Sequence, residues 1–315
     1  MNKWFRKGNA RRYNRVDMPI RSFIVPSSPI RDREIYATGA NYLPKVVIDK
    51  IKSQRLKVFE AVSKVQEQKE LVTEITKQIV LALEIFGQCC EKISSGASPK
   101  LDLPLWRQVN IISAGFASIK KLQAASPKTH QYLALLEDKF IKHFYYLIFS
   151  IENSTADQFQ VKGHLPKGFA IDKLLKSFED PKYEKIPLVQ TILNLGGLMN
   201  TYLEVYELIN EDNYARQFPE EWAIKPANVS ASGIAIHLGK RFELYTKLDV
   251  LIYIEGLNKI LEFEGSVVDI RDNAAQGTER VAINFEFPDG KDQTLLQQEI
   301  QKQEVKECMK FALFS

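Results

Sequence analysis

The chain has 315 residues, 45% of them apolar and 26% charged, which is the composition of a globular protein with room for two domains. No apolar run approaches the ~18 residues that span a bilayer, and the first 25 residues carry no apolar leader, so neither a membrane span nor secretion is expected. Cys89 and Cys90 are adjacent and Cys308 stands alone, a set that excludes a disulfide framework and suits a reducing cytoplasm.

The net charge of +4 is mild, but it is unevenly spread. Lys3, Arg6, Lys7, Arg11, Arg12 and Arg15 all precede the first acidic residue, Asp17, and give the N-terminus a strong local positive field. Residues 18–26 alternate loosely, with Ile20, Ser22 and Ile24 against Arg21, Phe23 and Val25. They read as a strand that ends in the turn cluster Pro26-Ser27-Ser28-Pro29. A connector follows to Pro44, a favourable residue at a helix start.

From Lys45 to about Ser94 the apolar spacing is helical, with Ile48, Ile51, Val58, Val62 and Val65 followed by Val72, Ile75, Ile79, Leu83 and Phe86. With no Gly or Pro before Gly87, the pattern predicts one helix of roughly 60 Å, too long for a single compact domain to bury. Arg55 and Lys69 interrupt its seam, which favours a bundle over a two-stranded coiled coil. Two more helices are predicted at 106–124 and 129–152. The second carries Phe140, Phe144, Tyr145, Tyr146 and Phe149 on more than one face, which calls for deep burial or a subunit contact. A short amphipathic piece is expected at 171–178 and a further helix at 188–210. Gly196-Gly197 inside the latter implies a close helix approach or a kink.

After Phe218-Pro219 the pattern turns to strands. Asn228-Val229-Ser230-Ala231-Ser232-Gly233 is a polar turn leading into the β-branched run 234–238. Asn and Ser fold onto nearby backbone N–H groups, and Gly233 permits a positive φ or a close backbone approach. Further strands are read at 247–255, at 260–270 and around Val281, Ile283, Phe285 and Phe287, with a closing Gln/Glu-rich helix at 293–311.

The pair Arg11-x-x-x-Arg15, with Arg12 between, and Asn228-x-Ser230-x-x-Gly233 resembles the two motifs of the PilZ domain, RxxxR and (D/N)xSxxG. Gly265-Ser266-Val267 and Ile283-Asn284-Phe285 fit the strands that follow in that family. The resemblance covers about the first 30 residues and the last 95, and about 210 residues separate the two motifs. It implies an α+β fold in which a six-stranded antiparallel PilZ-type barrel is split by a large helical insertion. The arm and first strand would occupy 1–30, the insertion 31–218, and the remaining barrel and closing helix 219–315. It also implies a receptor for cyclic di-GMP held by Arg11, Arg12, Arg15, Asn228, Ser230 and Gly233, with an unknown downstream protein as partner. Atypical members oligomerise through inserted helices, so a homo-oligomer is expected here too.

Residue chemistry is compatible with that ligand. Arginine forks donate in parallel to phosphate or to guanine O6 and N7, and can stack on the base. Taken singly, each motif residue has a plainer role, as turn former, backbone-geometry glycine or ion-pair partner. Catalytic patterns are thin. The four histidines show no metal spacing, no GxSxG occurs, and the segment from Gly233 to Lys240 departs from a P-loop in both spacing and its final residue. No enzyme activity, cofactor or metal is expected. Two other readings stay open: an oligomerising structural protein whose barrel binds nothing, and a nucleic-acid binder using the basic N-terminus, which would show a steep salt dependence.

Overall fold

Alternating apolar runs fold as strands, and here the strands close on themselves. The computed structural model describes residues 15–27, 30–273, 277–286 and 290–314. In it, β1 (Val16–Pro26), β2 (Ile224–Ser230), β3 (Gly233–Leu238), β4 (Lys247–Ile254), β5 (Lys259–Asn273) and β6 (Thr278–Glu286) form an antiparallel barrel in the order β1-β2-β3-β6-β5-β4. Leu248, Val250 and Ile252 of β4 face inward with Val281, Ile283 and Phe285 of β6, all buried. Closure leaves no sheet edge exposed.

The closing strand comes from far away in sequence. β1 pairs with β2 from Val16↔Val229 to Arg21↔Ile224, then with β4 from Arg21↔Tyr253 to Pro26↔Leu248. About 200 residues lie between β1 and β2, and they are mostly helical. The fold is α+β.

The predicted single helix over 45–94 is in fact two, α1 (Lys45–Ser63) and α2 (Lys69–Ser94). Gln68 takes a left-handed φ of 50°, and the chain turns back there. An ion pair of 2.6 Å between Arg55 and Glu84 records the reversal, since an unbroken helix would hold these residues ~44 Å apart. The turn lets both apolar faces pack on one later helix. That helix is α7 (Pro187–Tyr214), which contacts α1, α2, α5 and α6.

The predicted helix at 106–124 is also divided. α3 (Leu103–Ile112) ends near Gly115, whose φ is 81°, and a 3₁₀ turn at Ala117–Lys121 leads into α4 (Leu122–Ala125). α5 (Pro127–Asn153) and α6 (Ala170–Phe178) match expectation closely. Gly196 answers the question posed by the glycine pair. α7 runs through it as one helix, and a Cβ there would lie 2.5 Å from the Leu175 side chain of α6, so the glycine serves a close approach.

Phe140 and Phe144 of α5 are absorbed within the chain, whereas Tyr145 is exposed. Phe140 and Phe144 stack with centroids 5.3 Å apart, and Phe86 of α2 meets the Tyr206 ring of α7 edge-on at 5.9 Å. Tyr206 is fully buried, its hydroxyl donating to the Tyr146 carbonyl at 2.9 Å. Cys89 and Cys90 are buried thiols of the same core, the first pushed up to about 12 by burial. α8 (Lys291–Phe314) begins shortly after β6 and packs on β1, β2 and β5, with Leu296 and Ile300 buried.

Candidate ligand-binding site

β-Pairing decides which motif residues meet. Arg15 immediately precedes Val16, whose partner on β2 is Val229. The next pair is Asp17↔Asn228, and the Asn228 amide donates to Asp17 Oδ1 at 2.7 Å. Residues 15 and 228 therefore sit at one end of the barrel although they are far apart in sequence. Arg11 and Arg12 lie outside the described residues.

The turn that follows β2 completes this end. Ser230 is buried, and its hydroxyl reaches the Gly233 carbonyl and Ser232 Oγ, each at 3.3 Å, and accepts from the Ser232 N–H at 3.4 Å. Its hydrogen bonds are spent within the turn. Gly233 has no positive φ. A Cβ at Gly233 would stand 2.3 Å from the Ile283 carbonyl oxygen of β6, so of the two readings the close backbone approach holds. Gly233 pairs with Asn284, and the Phe285 N–H donates to the Ser232 carbonyl at 3.0 Å.

The six expected residues thus divide. Arg15 and Asn228 are half-buried with polar groups near the surface, whereas Ser230 and Gly233 are buried parts of the turn. Among the described residues the Asn228 carbonyl oxygen accepts no hydrogen bond. The arrangement offers a guanidinium and an amide with both donor and acceptor character, beside one carboxylate, Asp17. Such a set can hold an anion and read the edge of a base.

A second polar constellation escaped the sequence reading. At the joint between barrel and helices, Lys240 donates to both oxygens of Asp212 at 2.6 Å. Tyr42 donates to Asp212 Oδ2 at 2.5 Å and meets Thr38 Oγ1 at 3.1 Å. All four residues are buried. Burial pulls the Lys240 ammonium below its usual range against the opposing pull of Asp212. The Tyr42 hydroxyl is pushed well above its ordinary value, first by burial and then by the Asp212 charge. Residues from the connector, the end of α7 and the loop after β3 meet here, and no local spacing announces such a contact.

The joint has an aromatic wall. Trp222 donates its indole N–H to the Ala215 carbonyl at 2.7 Å and lies 5.6 Å from the Phe23 ring. Arg21 donates to the Trp222 carbonyl at 2.7 Å and pairs with Glu255. A cavity of about 240 Å³ opens beside these groups, lined by Tyr214, Trp222, Glu211, Lys225 and Lys240 among others.

The architecture is a small, closed, six-stranded antiparallel barrel with a terminal helix packed on it. Residues 215–302 match the family model described as the PilZ domain, and a large helical region precedes them. PilZ is a class of cyclic di-GMP receptor domains, which work by binding and not by catalysis. The matched segment takes in β2 to β6 and the start of α8, while β1, which closes the barrel, lies outside it.

Among solved structures, the chain is similar to a pathogenic protein from Xanthomonas campestris, described as a tetrameric PilZ domain self-assembled via an unusual helical bundle. The two are 18% identical, the likeness covers 44% of this chain and 76% of the other, and the TM-score is 0.26. At that level the likeness carries no weight for this chain's geometry or assembly. A search of curated proteins gives no match. Among the described residues no helix is long and apolar enough to cross a membrane.

Proposed function

We propose that this protein is a cytoplasmic bacterial receptor for cyclic di-GMP that signals to a partner by changing conformation and has no catalysis of its own. The observation that carries the reading is the β1–β2 register, which brings the start of β1, just after Arg15, beside the Asn228 turn of the segment that matches the PilZ model. In this reading Arg11, Arg12 and Arg15 grip the phosphates and stack on the guanines from one side. Asn228 reads a base edge, Ser230 holds the turn that presents it, and Gly233 keeps that turn close to β6. Ordering of the arm offsets part of the gross affinity. Self-association through the helical region belongs to the same proposal, with Leu56 of α1 and Tyr145 of α5 as exposed side chains that could serve it.

A rival reading rests on one observation. Ser230 and Gly233 are satisfied by the fold itself, as they would be in a barrel that binds nothing. Fluorescence anisotropy of labelled cyclic di-GMP, with unlabelled GMP and cyclic GMP as competitors, separates the two. Saturable binding displaced by cyclic di-GMP alone supports the receptor. Unchanged anisotropy favours the structural barrel.

A further inference from the structure

A surface helix buries one apolar stripe and shows a polar one to water. α3 breaks this rule. Its inward stripe, Leu105 and Val109, is buried against α2, yet its outward stripe carries Leu103 and Ile111, 65% and 72% exposed, on either side of Arg107. Leu101, just before the helix, is 64% exposed, and Leu81 on the neighbouring α2 is 54% exposed. The Lys92–Asp102 and Lys121–Glu74 ion pairs, 3.1 and 3.8 Å, run this segment along α2 and keep the four apolar side chains on adjoining elements.

The acidic groups beside this face, Asp102 and Glu74, are each paired with a lysine. Lys77, Lys100 and Arg107 are exposed and make no ion pair among the described residues. Asp102 is the sole acidic residue from 99 to 112, and it is occupied. It accepts from the Leu105 N–H as the helix cap and pairs with Lys92. A second copy is a poor occupant, because an isologous contact would bring Arg107 and Lys100 against their own equivalents.

We propose that the face formed by Leu81, Leu101, Leu103 and Ile111 is a docking surface for a partner protein segment bearing apolar side chains flanked by Asp or Glu. Leu103 and Ile111 would be the apolar anchors, one on each side of Arg107, and the three cations would choose acidic over basic partners. This site is independent of the cyclic di-GMP reading and stands or falls separately from it.

The test uses the full chain, immobilised, to select from a randomised peptide library, with Ile111→Glu protein as the counter-selection. The expected result is a set of peptides that pair Leu, Ile or Phe with Asp and Glu, and whose binding to Ile111→Glu or Arg107→Glu protein falls at least ~10-fold. Both positions are exposed, so the variants should keep the wild-type melting temperature. Selected peptides without acidic enrichment, equal binding to the variants, or no selection at all would overturn the proposal. So would either of two control results: sedimentation of the protein with anionic phospholipid vesicles that Arg107→Glu abolishes, or a dimer in light scattering that Ile111→Glu dissociates.

Discussion

Asn228 and Asp17 are 211 residues apart in sequence and share a hydrogen bond of 2.7 Å. The bond lies at the mouth of the barrel, where β1 begins and β2 ends, so it reports whether the split barrel has closed. It also occupies one donor of Asn228, whose side chain makes no other hydrogen bond among the described residues. Asp17→Ala should release the Asn228 amide and cost about 1 kcal/mol of stability, read by urea denaturation. A loss of several kcal/mol would mean that Asp17 holds more than this bond.

The arginines are expected to act on affinity rather than folding. Arg11→Ala and Arg15→Ala should each weaken cyclic di-GMP binding by about 1.5–3 kcal/mol, the range for a lost charge-assisted hydrogen bond. The melting temperature of Arg15→Ala should hold, since Arg15 does not belong to the buried barrel core. Affinity within twofold of wild type in both variants would remove the arm from the site.

At the turn, the two motif residues predict different outcomes. Gly233→Val drives a side chain into the Ile283 carbonyl, so it should destabilise the barrel by about 3 kcal/mol or more. Ser230→Ala removes only long, local hydrogen bonds and should cost about 1 kcal/mol. Thermal denaturation of the two variants decides this. A Gly233→Val protein that melts like wild type would contradict the close packing of β3 on β6.

The buried joint gives a sharp energetic prediction. Lys240→Met strands the Asp212 carboxylate, which also accepts from Tyr42, and should cost about 3–5 kcal/mol. The double variant Lys240→Met with Asp212→Leu should recover most of that loss, because no unpaired charge stays buried. Chemical denaturation of Lys240→Met, Asp212→Leu and the double variant measures the coupling. Additive losses would mean that the two residues do not act as a pair.

Stability should also depend on pH through His143. Its ring meets the Lys139 carbonyl at 2.8 Å through Nδ1 and packs on Phe169, and burial lowers its pKa below the usual 6.5. A base with a depressed folded pKa is protonated first in the unfolded chain, so stability falls as pH drops below about 6.5. The hydrogen bond to the Lys139 carbonyl opposes the shift, as do the charges of Glu207 and Asp172, while the Lys139 ammonium adds to it. His143→Gln should flatten the change in melting temperature between about pH 7.5 and 5.5. An unchanged slope would assign the effect to another group.

Much of the barrel was legible because period-2 alternation survives in β4 and β6, where Leu248, Val250 and Ile252 and then Val281, Ile283 and Phe285 all turn inward. The motif residues were legible as types at a spacing, but not in their division of labour. Nothing in NxSxxG says that Ser230 is used up by Ser232 and Gly233. The reversal at Gln68 was hidden because no Gly or Pro marks it. What decides it is the packing of α1 and α2 on α7, a tertiary demand that overrides a helix-friendly local sequence. The contact of Tyr42, Asp212 and Lys240 joins three distant segments, and a single sequence carries no local sign of it.

The most direct test of the central claim is isothermal titration of the full chain with cyclic di-GMP, run beside GMP and cyclic GMP, for wild type and for Arg15→Ala and Asn228→Ala. The account predicts saturable binding of cyclic di-GMP alone, at micromolar affinity or tighter, weakened about tenfold or more in both variants. Absence of heat with the wild-type protein at ~100 µM ligand, or equal binding of GMP, would contradict it.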